Sequence, residues 1–88
     1  MNKILVITTK GCVTSKNAVV NITAAIKETK KNIPLESKDF SNIDIDFIIK
    51  NDISDFPTVV FFINDKVVYK CCGAYPIEEY VHLVHIYF

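Results

Sequence analysis

Two stretches of this chain, Ile4-Leu5-Val6-Ile7 and Val59-Val60-Phe61-Phe62-Ile63, are apolar without a break. A strand with one wet face alternates apolar and polar side chains. An unbroken run of β-branched and aromatic residues instead reads as a strand covered on both faces. Two such runs need packing layers above and below a shared sheet, which is the arrangement of an α/β domain.

The layers are legible between and after the runs. From Val13 to about Lys31 the apolar residues Ala18, Val19, Ile22, Ala25 and Ile26 recur at intervals of three and four, one stripe of an amphipathic helix. Lys30-Lys31-Asn32 and Pro34 close it. Leu35 to Phe40 carries Glu36, Ser37, Lys38 and Asp39, so a strand there belongs at an exposed edge. Ser41 or Asn42 is suited to cap a short helix running through Asp44, Phe47, Ile48 and Ile49. Pro57 can open the second buried strand as its first residue. Asn64-Asp65 fits a two-residue hairpin loop, because both tolerate positive φ. Lys66 to Cys72 is then the antiparallel return strand. Gly73-Ala74-Tyr75 turns the chain, and Pro76 suits the first position of a last helix. That helix sets Ile77, Tyr80, Val81, Val84 and Phe88 on one face against Glu78, Glu79, His82 and His85 on the other. The element order is βαβαββα: a four-stranded mixed sheet flanked by helices, with the apolar strands central and the polar ones at the edges, in one domain over residues 1–88.

Ten basic and ten acidic side chains cancel, so no long-range field draws in nucleic acid or an acidic membrane. The Lys27, Lys30, Lys31 cluster reads as the solvated C-terminal end of a helix. No stretch approaches the roughly 20 apolar residues of a membrane span. The apolar run after Met1-Asn2-Lys3 is too short for a secretory leader. Three cysteines, an odd number, fit a disulfide scaffold poorly, and a reducing cytoplasm is the expectation. A monomer is expected as well.

The chemistry concentrates in Thr8-Thr9-Lys10-Gly11-Cys12-Val13-Thr14-Ser15. Cys12 falls where a strand gives way to a helix, and there the first helical N–H groups point outward unpaired. The positive end of the helix dipole favours thiolate over thiol. Ser15, three residues on, returns its hydroxyl to the sulfur after one turn. On these residues alone, an ordinary small side chain at a turn is as good a reading as a reactive thiol.

Two further landmarks join it: Ile53-Ser54-Asp55-Phe56-Pro57-Thr58, running straight into the buried hairpin, and Gly73-Ala74 at the hairpin's end. With the βαβαββα order, these residues make the whole chain resemble the thioredoxin-like superfamily. The short length, without an additional N-terminal strand and helix, is similar to a glutaredoxin. Phe-Pro-Thr and Cys-Gly-Ala are more similar to thioredoxin. The resemblance implies a small thiol–disulfide oxidoreductase in which Cys12 is the attacking cysteine and Ser15 stands at the second cysteine of the Cys-x-x-Cys motif. It implies a cis peptide bond before Pro57 facing the sulfur. It also implies a substrate groove lined by Phe56, Pro57, Thr58, Cys72 and Gly73. A disulfide-containing protein or glutathione is the implied partner, with glutathione as co-substrate and no bound cofactor or metal.

The departures from that pattern are specific. Without a second cysteine, a mixed disulfide on Cys12 must be released by glutathione, by a partner protein or by Cys72. Val6 stands where thioredoxins carry a buried acid, and Gly11 where they carry tryptophan. The motif is not the Cys-Gly-Phe-Ser of cluster-sharing monothiol glutaredoxins. A serine at position 15 is also what a trapping replacement of cysteine would leave. Lys10 and Lys16 flank Cys12 and are either surface lysines or partners for the thiolate or a ligand carboxylate. Cys71 and Cys72 point to opposite faces of their strand, so at most one looks toward Cys12; Cys72 is either a resolving thiol or a small strand residue. His82 and His85 lack an evident third ligand, and Glu78 is placed to pair with His82. The aromatic residues Phe61, Phe62, Tyr80, Tyr87 and Phe88 read as core. The alternative to catalysis is a non-catalytic binding module that holds a partner in the same groove.

Overall fold

The computed structural model describes all of residues 1–88. Strand β1 (Lys3–Thr8) leads to helix α1 (Val13–Thr29). Strand β2 (Leu35–Asp39), a 3-10 turn (Phe40–Asn42) and helix α2 (Ile45–Lys50) follow. Strands β3 (Thr58–Ile63) and β4 (Lys66–Cys72) form a hairpin, and helix α3 (Ile77–Tyr87) closes the chain. The sheet order is β2-β1-β3-β4. Strand β2 runs parallel to β1, while β3 is antiparallel to both β1 and β4. The expected α/β class and βαβαββα order are thus observed, and the two apolar strands are the central ones.

Parity along each strand builds two cores. Ile4 and Val6 of β1, Val59 and Phe61 of β3, and Cys71 of β4 face α1 and α3, whose Ala18, Ile22, Ala25, Tyr80 and Val84 complete the larger cluster. The alternate residues Leu5, Ile7 and Val60 face the other way. With Ile53 they form a smaller cluster, covered by Phe47 and Ile48 of α2 and by Ile43, Phe56, Phe62 and Val67. A short helix covers one face and two long helices the other, so α1, which carries Cys12 at its head, is the better anchored. Phe61 is the hub of the larger core, with ring centroids of Tyr69, Phe88 and Tyr87 at 5.3, 5.3 and 5.7 Å. Phe61 and Tyr80 are fully buried, while Phe62, Tyr87 and Phe88 are only half-buried against the two clusters.

Several boundaries differ from expectation, each for a local reason. Helix α1 stops at Thr29 because Lys30 turns left-handed (φ 58) and donates its N–H to Lys27 O at 3.1 Å. Neither Ser41 nor Asn42 caps α2. The Asp44 carboxylate does, accepting the Asp46 N–H at 2.9 Å, while Asp39 caps the preceding 3-10 turn by accepting the Ser41 N–H at 3.0 Å. At the other end of α2, the Lys70 ammonium from β4 donates to the carbonyls of Asn51 and Asp52, where the helix dipole is negative. Pro57 lies one residue before β3, and Pro76 is the N-cap of α3 rather than its first helical residue. Ile77 is 37% exposed and stands outside the core cluster, while Leu83 and Tyr87 join Val81 and Phe88 around it. The hairpin loop is as expected, with Asn64 at φ 53 and Asp65 at φ 64. No helix is long and apolar enough to cross a membrane.

Phe61→Ala is expected to cost about 3–5 kcal/mol in urea unfolding, since it empties the aromatic hub. Ile49→Ala, on the outer surface of α2, is expected to change stability by less than about 0.5 kcal/mol.

Candidate active site

The link between β1 and α1 is built for a sharp reversal. Gly11 has φ 72, and a Cβ there would meet nothing within 4 Å, so glycine serves the backbone conformation and not the space. Cys12 donates its N–H to Thr9 O at 3.3 Å and stands as the N-cap of α1, with extended backbone (φ −88, ψ 113). Its carbonyl accepts the Lys16 N–H at 3.3 Å, the opening turn of the helix. The side chain is half-buried. The neutral thiol makes no capping hydrogen bond, so the first N–H groups of α1 remain partners for an ionised sulfur.

Those partners shift the thiol strongly. The Ser15 hydroxyl is the largest influence, followed by the Ser15 N–H, with smaller help from the Thr9 hydroxyl and the Thr14 N–H. Together they outweigh desolvation and bring Cys12 from an ordinary 9.0 down to about 7. Ser15 is itself buried, and its oxygen accepts the Thr9 N–H at 3.3 Å. One hydroxyl therefore ties the end of β1 to the sulfur. Val6 is fully buried in the apolar cluster beneath α1.

A second group assembles at the same end of the sheet. The Phe56–Pro57 peptide bond is cis. Thr58 pairs with Ile7 on one side and Cys72 on the other, so Pro57 lies beside the carboxyl end of β1, from which Cys12 follows. The Gly73 N–H donates to Pro57 O at 2.8 Å. The Thr58 hydroxyl donates to Asp55 O at 2.5 Å and lies 3.6 Å from the Cys72 sulfur. Phe56 packs its ring on Phe40, with centroids 5.2 Å apart.

The expected residues therefore fall into two sets. Lys10, Cys12 and Ser15 line one cavity of about 450 Å³, whereas Phe56, Pro57, Thr58, Cys72 and Gly73 are not in its wall. Cys71 points into the core beneath α1 and α3, and burial pushes its thiol up. Cys72 is exposed and takes the opposite parity, on the sheet face that α2 covers. His82 and His85 are exposed, and no group of three or more metal-ligating side chains stands together anywhere in the chain. Glu78 makes no ion pair with His82; the three ion pairs are Met1–Asp65, Lys3–Glu36 and Lys38–Glu36.

Sequence reasoning missed Thr8, Thr9, Val19, Val20 and Ser37 as walls of the Cys12 cavity. Ser37 enters only through the parallel register, which sets it beside Val6. Val20 did carry a signal: it is an apolar residue off the core stripe of its own helix, and it is 64% exposed.

No protein-family model and no curated protein matches the sequence. Solved structures do match. A thioredoxin-2 described as a component of the malaria parasite protein secretion machinery aligns with a TM-score of 0.80 at 15% identity, covering 99% of this chain and 84% of its own. Thioredoxin from Aeropyrum pernix aligns at 0.78 and 22% identity, over 99% and 75%. Plasmodium falciparum thioredoxin aligns at 0.77 and 18% identity, over 99% and 82%. With a reversed strand pair, a cysteine-headed helix and this sheet order already in view, the chain has the thioredoxin-like fold.

Proposed function

We propose that the chain is a thiol–disulfide oxidoreductase that works through the thiolate of Cys12. The observation that carries this reading is the sulfur itself: half-exposed at the head of the longest helix, faced by the Ser15 hydroxyl and held at about 7. A thiol there is substantially ionised at neutral pH, yet it keeps nucleophilicity that a more acidic thiol loses.

The cycle needs two exchanges. The Cys12 thiolate attacks one sulfur of a substrate disulfide, forming a Cys12 mixed disulfide and expelling the other sulfur as a thiolate that takes up a proton. A second thiol, as thiolate, then attacks the substrate-derived sulfur of that adduct. It forms a new disulfide and returns the Cys12 thiolate. Ser15 stabilises the thiolate but has no sulfur to resolve the adduct. Cys71 is buried in the core, and Cys72 is exposed with its parity toward the sheet face that α2 covers. The second thiol is accordingly assigned to an external reductant. A disulfide-bearing protein is the proposed substrate, held at the edge formed by half-buried Phe56 and Gly73 and exposed Cys72, beside the buried Pro57 and Thr58.

The reading is tested by alkylation and turnover. Iodoacetamide is expected to modify Cys12 with a midpoint near 7, the rate rising as pH increases and the thiol ionises. Ser15→Ala is expected to raise that midpoint toward the ordinary 9.0, because the largest stabilising partner of the anion is gone. A wild-type midpoint at or above 9.0 overturns the proposal. Catalytic reduction of a glutathione mixed disulfide, monitored through consumption of glutathione, is expected for wild type and absent in Cys12→Ser. Equal turnover by the two proteins would also overturn it.

A further inference from the structure

The turn from β4 into α3, Gly73-Ala74-Tyr75, is held mainly by side chains. Its one main-chain tie is at the start. Gly73, at φ 90, donates its N–H to Pro57 O at 2.8 Å and so couples the turn to the Pro57 peptide. At the other end, Tyr75 donates its N–H to the Tyr80 hydroxyl at 3.1 Å, and its carbonyl accepts the Asn21 amide at 2.9 Å. The same Tyr80 hydroxyl donates to Gly73 O at 3.4 Å, the looser of its two bonds.

Both side chains come from the helical layer over the larger core. Tyr80 of α3 is fully buried in that core, and its ring stacks on Tyr75 with centroids 5.5 Å apart and planes at 16°. A phenylalanine would fill the same space. What the hydroxyl adds is a grip on two main-chain groups of the turn, which a buried phenol must have in any case. Asn21 is half-buried on α1, nine residues after Cys12, or about two and a half turns along the same helix. Helix α1 therefore carries the sulfur at its head and holds the turn by its middle.

Resting on the proposed disulfide exchange, we infer that Tyr80 and Asn21 are positioning residues for a protein substrate: through the Gly73–Tyr75 turn they hold the Phe56, Cys72 and Gly73 edge in place relative to Cys12. The path runs from Asn21 Nδ2 to Tyr75 O, from Tyr75 N–H to Tyr80 Oη, from the Tyr80 hydroxyl to Gly73 O, and from Gly73 N–H to Pro57 O. Neither residue is among the groups that favour the Cys12 anion, which are Ser15, Thr9 and Thr14. Without the grip, the Tyr75 N–H and the Gly73 carbonyl must find water instead, and the turn loosens from the helices. A polypeptide must then order that turn before its disulfide meets the thiolate, and the ordering weakens its binding. A small disulfide needs only the sulfur.

The test has a structural arm and a kinetic arm. In the first, amide exchange at Gly73 is followed by NMR against exchange at Val60, inside β3, which reports opening of the whole fold. Tyr80→Phe keeps the ring and is expected to raise the Gly73-to-Val60 exchange ratio about tenfold; Asn21→Ala, the gentler change, is expected to raise it about threefold. In the second arm, insulin and bis(2-hydroxyethyl) disulfide are reduced with glutathione as the terminal thiol. Each variant is expected to raise KM for insulin by a similar factor, with kcat on insulin and the rate on the small disulfide within about twofold of wild type. An exchange ratio unchanged in both variants, an unchanged KM for insulin, or an equal loss on both disulfides overturns the positioning role and leaves the oxidoreductase reading standing. A wild-type protein that reduces neither disulfide sinks that reading and the substrate role with it, whatever the exchange ratio does.

Discussion

The antiparallel pairing of β1 with β3 is the constraint on which the rest depends. Lys3 to Ile7 face Phe62 to Thr58 in an unbroken register. That register fixes more than a sheet. It sends the end of β1 and the start of β3 to the same edge of the molecule. The sharp turn into α1 and the Pro57 peptide become neighbours although they are far apart in sequence. A slip of one residue would turn Ile4 and Val6 away from α1 and α3, and the fully buried side chains on both faces forbid it. The geometry of the sulfur's surroundings is thus set by core packing.

Two cysteines of this chain illustrate how strongly environment decides thiol chemistry. Cys12 and Cys71 have the same intrinsic acidity. At the head of α1, hydroxyl and amide donors surround the sulfur and favour the anion. Within the larger core, burial opposes charge on Cys71, and the neighbouring Tyr69 and Tyr75 hydroxyls only partly offset it. One sulfur is favoured as an anion near neutrality and the other is a small apolar side chain. Val6 extends the same contrast. Fully buried, it puts another apolar side chain in the cluster beneath α1.

Most of the fold was legible because two periodicities did not conflict. The unbroken runs at Ile4–Ile7 and Val59–Ile63 and the three-four spacing from Ala18 to Ile26 assigned strands and helix without ambiguity. Helix α2 was less legible. Ser41 and Asn42 are good caps in isolation, but both lie inside a 3-10 turn that Asp39 caps, and the cap of α2 falls to Asp44 after it. Of the candidate site, Cys12 and Ser15 were readable from a one-turn spacing along a single element. Ser37 and Val20 were not, because their closeness to the sulfur depends on the parallel β1–β2 pairing and on how α1 is rotated over the sheet. The opposite orientations of Cys71 and Cys72 followed from strand parity alone; which of them faced the interior needed the packing of α1 and α3.

The outer strands carry one more consequence. Strand β2 has no neighbour beyond it, and its exposed side is studded by Lys38 and by Glu36, which is shared between Lys3 and Lys38. Strand β4, at the opposite margin, presents Lys66, and its Lys70 is committed to the end of α2. A visiting strand that tried to extend the sheet from either margin would have to strip water from ammonium groups. Lateral growth of the sheet is thereby discouraged on both sides, which keeps one copy of this chain from templating the next.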